Sequence, residues 1–137
     1  MSAGRIAATY LGMTVVFFAI DMLWLGFVAR GFYRRHMGSL LAEQVNWTAA
    51  ITFYLVFIAG ILIFAVLPAL GKGSLGQAVL LGCLFGLVAY ATYDLTNLAT
   101  LRGFPPVVAA VDLAWGSFLT GVVAAVGYLV AGRLGQT

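Results

Sequence analysis

Four stretches of this chain, 6–28, 48–70, 75–101 and 107–131, are nearly unbroken runs of apolar residues, and each is long enough to cross a membrane. A hydrocarbon core about 30 Å thick asks for about 20 such residues in a helix. No water is present there to satisfy a backbone amide, so each stretch must close its hydrogen bonds within itself as an α-helix. The residue balance agrees: 64% of the 137 residues are hydrophobic and 8% are charged, against about 25% charged in soluble domains. The fold class that follows is an all-α integral membrane protein, with four transmembrane helices in an up-down bundle forming a single transmembrane domain over 1–137.

The breaks between stretches carry turn chemistry. Gly71-Lys72-Gly73-Ser74 reads as a tight polar turn, with Pro68 suited to a fraying helix end just before it. Arg102-Gly103-Phe104-Pro105-Pro106 is the next break, because its prolines cannot continue a helix. Asn46 is placed to cap the second helix, and Trp47 falls where interfacial aromatics belong. The first stretch exceeds the apolar length of a signal peptide and no small-residue cleavage pattern follows it, so it is expected to be retained. In the longest connection, 29–47, Tyr33, Met37, Leu40 and Leu41 recur at the spacing of one helix face, which allows a short interfacial helix between the first two crossings. Its Arg30, Arg34 and Arg35 either hold anionic lipid headgroups or simply help to set topology. Basic residues divide four to three between the two sides, a weak lean toward a cytoplasmic position for the first and third connections.

The charges inside the crossings are more informative. Three of the four acidic residues lie there: Asp21, Asp94 and Asp112, each on a different helix. In an up-down bundle the first and third helices end on the side where the fourth begins. At about 1.5 Å per residue, all three carboxylates then lie roughly 8–11 Å inside the same boundary. Asn97, Trp24 and Trp115 belong to that half as well, and Tyr90, Asp94 and Asn97 share a helix face. An aspartate facing acyl chains costs about 2.5–3.5 kcal/mol near the bilayer centre. The cheaper arrangement turns the three inward to a shared polar pocket of Asp21, Asp94, Asn97, Asp112, Tyr90, Trp24 and Trp115. The competing reading is interhelical hydrogen bonding alone, with Asp112 favoured by the start of its helix.

Other chemistries lack their residues. The net charge of +3 comes from scattered basic residues that form no stripe, so no nucleic-acid partner is expected. Cys83 and His36 are the lone cysteine and histidine, and neither a metal site nor a cofactor is expected from them. Phosphate-binding glycine loops, zinc-protease motifs and serine-hydrolase elbows are missing from the sequence. Gly82 and Gly86, with Gly121 and Ala125, provide small-residue faces that allow close helix approach within one chain or in a homo-oligomer or larger membrane complex. Ala19-Ile20-Asp21-Met22-Leu23-Trp24 and Ala110-Val111-Asp112-Leu113-Ala114-Trp115 look alike, but an inverted repeat would put their aspartates on opposite sides, so a duplicated transporter is not indicated.

The segments Tyr93-Asp94-Leu95-Thr96-Asn97, Ile20-Asp21-Met22-Leu23-Trp24-Leu25-Gly26, Gly31-Phe32-Tyr33-Arg34-Arg35 and Val111-Asp112-Leu113-Ala114-Trp115-Gly116 occur together in this four-span chain. In that combination the chain resembles a family of small bacterial inner-membrane proteins known only as a domain of unknown function. The resemblance covers nearly the whole chain and implies a multi-pass protein of the bacterial inner membrane with Asp21, Asp94, Asn97 and Asp112 as its polar core. Members are often encoded near lipid-modifying enzymes such as cyclopropane-fatty-acid synthases, which implies a membrane-lipid context. The leading functional expectation is binding or translocation of a small polar or cationic ligand, or of protons. The alternatives are a membrane-lipid-modifying enzyme or its accessory subunit, and a structural subunit of a membrane complex.

Overall fold

The computed structural model describes residues 1–136, and its long helices follow the four apolar stretches. Helix α1 (Ala3–Leu23) runs on through a π-helical turn, Trp24–Val28, and is followed by the short helix α2 (Arg30–Met37) and a 3₁₀ turn, Gly38–Leu40. Helix α3 (Trp47–Ile61), a second π-helical turn (Leu62–Val66) and α4 (Leu67–Lys72) together make the second crossing. Helices α5 (Leu75–Thr100) and α6 (Pro106–Leu134) are the third and fourth. The outside of the bundle is apolar: Val15, Phe27, Val56 and Leu80 are exposed, a surface suited to acyl chains and not to water.

Local chemistry sets the helix ends. Ser2, Asn46 and Ser74 accept hydrogen bonds from the amides of Arg5, Ala49 and Gln77, capping α1, α3 and α5. Gly73, at φ 63°, takes the left-handed conformation that ends α4, and the amides of Gly73 and Ser74 close on the carbonyls of Leu70 and Ala69. Pro68 does not mark a fraying end, because the crossing continues through it to Lys72. A proline ring would clash with the carbonyl four residues earlier in an α-helix. The π-helical turn immediately before it widens the backbone there and lets the helix pass.

Consecutive crossings pack side by side, and α1 also packs on α6 to close the bundle. Met13, Phe17, Ile58, Ile61, Leu119 and Val123 are fully buried in its apolar core. Helices α5 and α6 meet most extensively, along a seam with no room for larger side chains. A Cβ at Gly82 would lie 2.6 Å from the Ala124 Cβ and 2.8 Å from the Thr120 carbonyl oxygen. A Cβ at Gly86 would overlap Gly116 and Thr120, and one at Gly116 would overlap the Tyr90 ring. The Gly82–Gly86 face is therefore a contact within the chain.

The connection between the first two crossings does contain a helix, α2. Phe32, Tyr33 and Met37 pack against Phe104, Val108 and Ala109 at the start of α6. Much of its apolar stripe is thus held against the bundle, while Leu40 and Leu41 remain exposed.

Candidate functional site

At the end of the bundle where α1 and α5 finish and α3 and α6 begin, the helices diverge around a cavity of about 770 Å³. Asp21, Asp94 and Asp112 all line it, with Trp24, Tyr90 and Trp115. Arg30 and Arg34 line it too and are exposed, which puts them at its mouth. Leu25, Met37, Leu41 and Phe53 give the wall a largely apolar character. Asn97 is half-buried one turn beyond Asp94, beside Tyr93, and is not part of the lining; Arg35 is exposed and also outside it.

The carboxylates differ in what satisfies them. Asp21, 5% exposed, accepts two hydrogen bonds: Tyr54 Oη donates to Oδ2 at 2.9 Å and Trp115 Nε1 donates to Oδ1 at 3.2 Å. Asp112 accepts one, from the Tyr33 hydroxyl, which in turn accepts from Trp24 Nε1 at 3.2 Å. Asp94 is 0% exposed, and among the described residues no donor reaches either of its carboxylate oxygens. The group beside it is the Asp112 carboxyl, within hydrogen-bond reach; two carboxylates cannot bond each other, so that contact is a hydrogen bond only when one of the pair holds a proton. Buried polar atoms are nearly always hydrogen-bonded, so a carboxyl on a cavity wall whose one neighbouring polar group is a second carboxyl calls for an explanation. Among the described residues, Thr120 Oγ1, farther along the same seam, is a buried side-chain oxygen for which no hydrogen-bond donor or acceptor is in reach.

Two local features hold this arrangement. The π-helical turn begins at Trp24 and sets that indole flat against Trp115, with ring centroids 4.3 Å apart and planes 8° from parallel. Each indole N–H is then aimed at a different branch of the network, one toward Tyr33 and one toward Asp21. Helix α2 supplies Tyr33 from outside the four crossings. Burial, and then the hydrogen bond to Asp112, push its phenol well above the ordinary range, so it remains a donor throughout physiological pH.

Tyr33 and Tyr54 are the lining residues that the sequence pattern did not single out as polar partners. Tyr33 stood out only as a member of the apolar stripe of α2. Tyr54 is the seventh residue of the uncharged stretch 48–70, where nothing distinguishes it from Phe53. Among the described residues, no group of three or more His, Cys, Asp or Glu side chains is arranged to hold a metal ion.

The fold and the cavity define a multi-pass, all-α membrane protein with four crossings and its polar groups gathered at one end. A family model described as a predicted membrane protein family, DUF2177, matches residues 6–129, and the chain belongs to that family, whose function is unknown. No curated protein and no solved structure matches the chain.

Proposed function

We propose that the protein binds a membrane-soluble ligand bearing an ammonium group with N–H donors, held in the one-sided cavity by Asp94 and Asp112. The observation that carries this reading is Asp94: fully buried, lining the cavity, with no partner for its carboxylate oxygens among the described residues but the neighbouring Asp112 carboxyl, itself an acid. An ammonium brings positive charge and N–H groups together, and charge-assisted hydrogen bonds of this kind are about twice as strong as neutral ones. The neighbouring indole and phenol rings add cation–π attraction. The cavity volume lies within the roughly 300–1,000 Å³ usual for small-molecule sites. The other half of the bundle is filled by Met13, Phe17, Ile58, Ile61 and Leu119, which supports binding rather than passage through the protein. The membrane concerned is the bacterial inner membrane that the sequence resemblance implies.

The test uses purified protein in detergent micelles carrying Trp47→Phe, which leaves Trp24 and Trp115 at the cavity as reporters. Octylamine is expected to change their fluorescence saturably, and octanol, which has no charge, is not. Asp94→Asn, nearly the same size, is expected to weaken octylamine by about tenfold or more, the loss typical of one charged hydrogen bond. Equal responses to amine and alcohol, or an Asp94→Asn protein that binds octylamine as tightly as its parent, would end this reading.

A further inference from the structure

Arg30 and Arg34 stand four residues apart on α2, hence on one face of it, and both line the cavity that holds the aspartates. Among the described residues, the hydrogen-bond partners of the carboxylates are Tyr54 and Trp115 for Asp21 and Tyr33 for Asp112, so neither arginine is engaged with them. The site is therefore bipolar: guanidinium groups at the exposed mouth, carboxylates within. A ligand with a single positive charge would meet repulsion on entry and leave the arginines unmatched. A ligand carrying an ammonium and an anion a few bonds apart satisfies both ends together.

We propose that the ligand is a phosphoethanolamine-type zwitterion, an ammonium joined through an ethylene bridge to a phosphodiester, with the ammonium at Asp94 and Asp112 and the phosphodiester at Arg30 and Arg34. Guanidinium groups suit phosphate oxygens because their planar N–H pairs match them. The primary ammonium follows from the paired Asp94 and Asp112 carboxyls, which have more acceptor oxygens than the protein supplies donors for and take N–H groups. A choline group carries the same charge and has no N–H to give. The apolar wall of Leu25, Met37, Leu41 and Phe53 accommodates the hydrocarbon part of a lipid bearing such a headgroup. This inference rests on the ammonium-binding reading above and adds the anionic contact and the identity of the headgroup.

The same Trp47→Phe protein, titrated with dihexanoyl phosphatidylethanolamine, phosphatidylcholine and phosphatidylglycerol, tests it. The ethanolamine lipid is expected to bind about tenfold or more tightly than either of the others, since phosphatidylcholine has no N–H donor and phosphatidylglycerol no ammonium. Replacing both Arg30 and Arg34 with Gln is expected to remove most of its advantage over octylamine, whereas Lys72→Gln, at the far end of the bundle, is expected to preserve it. Free glycerophosphoethanolamine binding as tightly as the lipid identifies a soluble zwitterion, and binding of the lipid alone identifies a headgroup read in the membrane. Equal affinity for the three lipids, with octylamine still bound through Asp94, overturns the zwitterion and leaves the ammonium site standing. No Asp94-dependent response to octylamine overturns both.

Discussion

Two of the aspartates should respond to the same substitution with opposite signs. Asp21 is bonded by Tyr54 and Trp115, so Asp21→Leu leaves both donors without their acceptor. Side-chain hydrogen bonds inside membrane proteins are worth about 0.6 kcal/mol on average and up to about 1.7, so two of them put the expected loss at about 1–3 kcal/mol. Asp94 is fully buried and among the described residues has only the Asp112 carboxyl, a second acid, beside its oxygens. Leaving a buried polar group unsatisfied costs about 1–3 kcal/mol, so Asp94→Leu is expected to stabilise the empty protein by about 1–2 kcal/mol after some loss for fitting a bulkier side chain. The measurement is reversible unfolding in mixed micelles, titrated with sodium dodecyl sulfate and followed by tryptophan fluorescence. The two variants should differ by at least about 2 kcal/mol, with the parent between them. If Asp94→Leu destabilises the protein as much as Asp21→Leu, then Asp94 does have a stabilising partner, and the case for a ligand-seeking carboxylate collapses. A stabilising Asp94→Leu that also abolishes octylamine binding is the pattern of a residue kept for function at the expense of stability.

Gly82→Leu is expected to destabilise by about 1–3 kcal/mol or more, because even its Cβ would lie 2.6 Å from that of Ala124; the same unfolding titration checks it, and a neutral result would mean that α5 and α6 are not in close contact there. Tyr33→Phe removes the donor to Asp112 and the acceptor of the Trp24 N–H, so amide exchange over Arg30–Met37 should rise several-fold while the middle of α5 stays protected; unchanged exchange in α2 would show that its apolar contacts alone hold it in place.

The crossings were legible because one property, apolar length, decides them, and no competing signal interrupts it except single aspartates. The depth of Asp21, Asp94 and Asp112 followed from helix rise and topology alone, and all three do line one cavity. What the sequence hid is contact-level information. Tyr54 lies on an uncharged helix whose periodicity marks no polar face, so its bond to Asp21 depends on how α3 is rotated against α1. The π-helical turns are equally invisible: the one at Trp24–Val28 has no proline or glycine pair before it, and the rotation it introduces determines where Trp24 points. Asn97 was misleading for a related reason. It shares a face with Asp94 in projection, yet it falls beyond the stretch where the helices diverge around the cavity.

Why the unsatisfied carboxylate is on α5 can be traced to the seam. Gly82, Gly86, Tyr90 and Asp94 follow one another at intervals of four along α5, and Asp112, Gly116, Thr120 and Ala124 do the same along α6. Rows spaced in this way are the ridges along which helices interdigitate. The antiparallel register is fixed where side chains are smallest: Gly82 against Ala124, Gly86 against Thr120, and Tyr90 over Gly116. One further step brings Asp94 to Asp112, so two acids are made to face each other by packing settled elsewhere in the helices. Neither can turn away without leaving its row. Tyr33, arriving on α2, donates to Asp112, and among the described residues Asp94 is left with no partner but the Asp112 carboxyl. A glycine seam that needed only to hold two helices together would be served equally well by an apolar residue at position 94. Continuing the row with a carboxylate makes sense when something outside the chain supplies the donor.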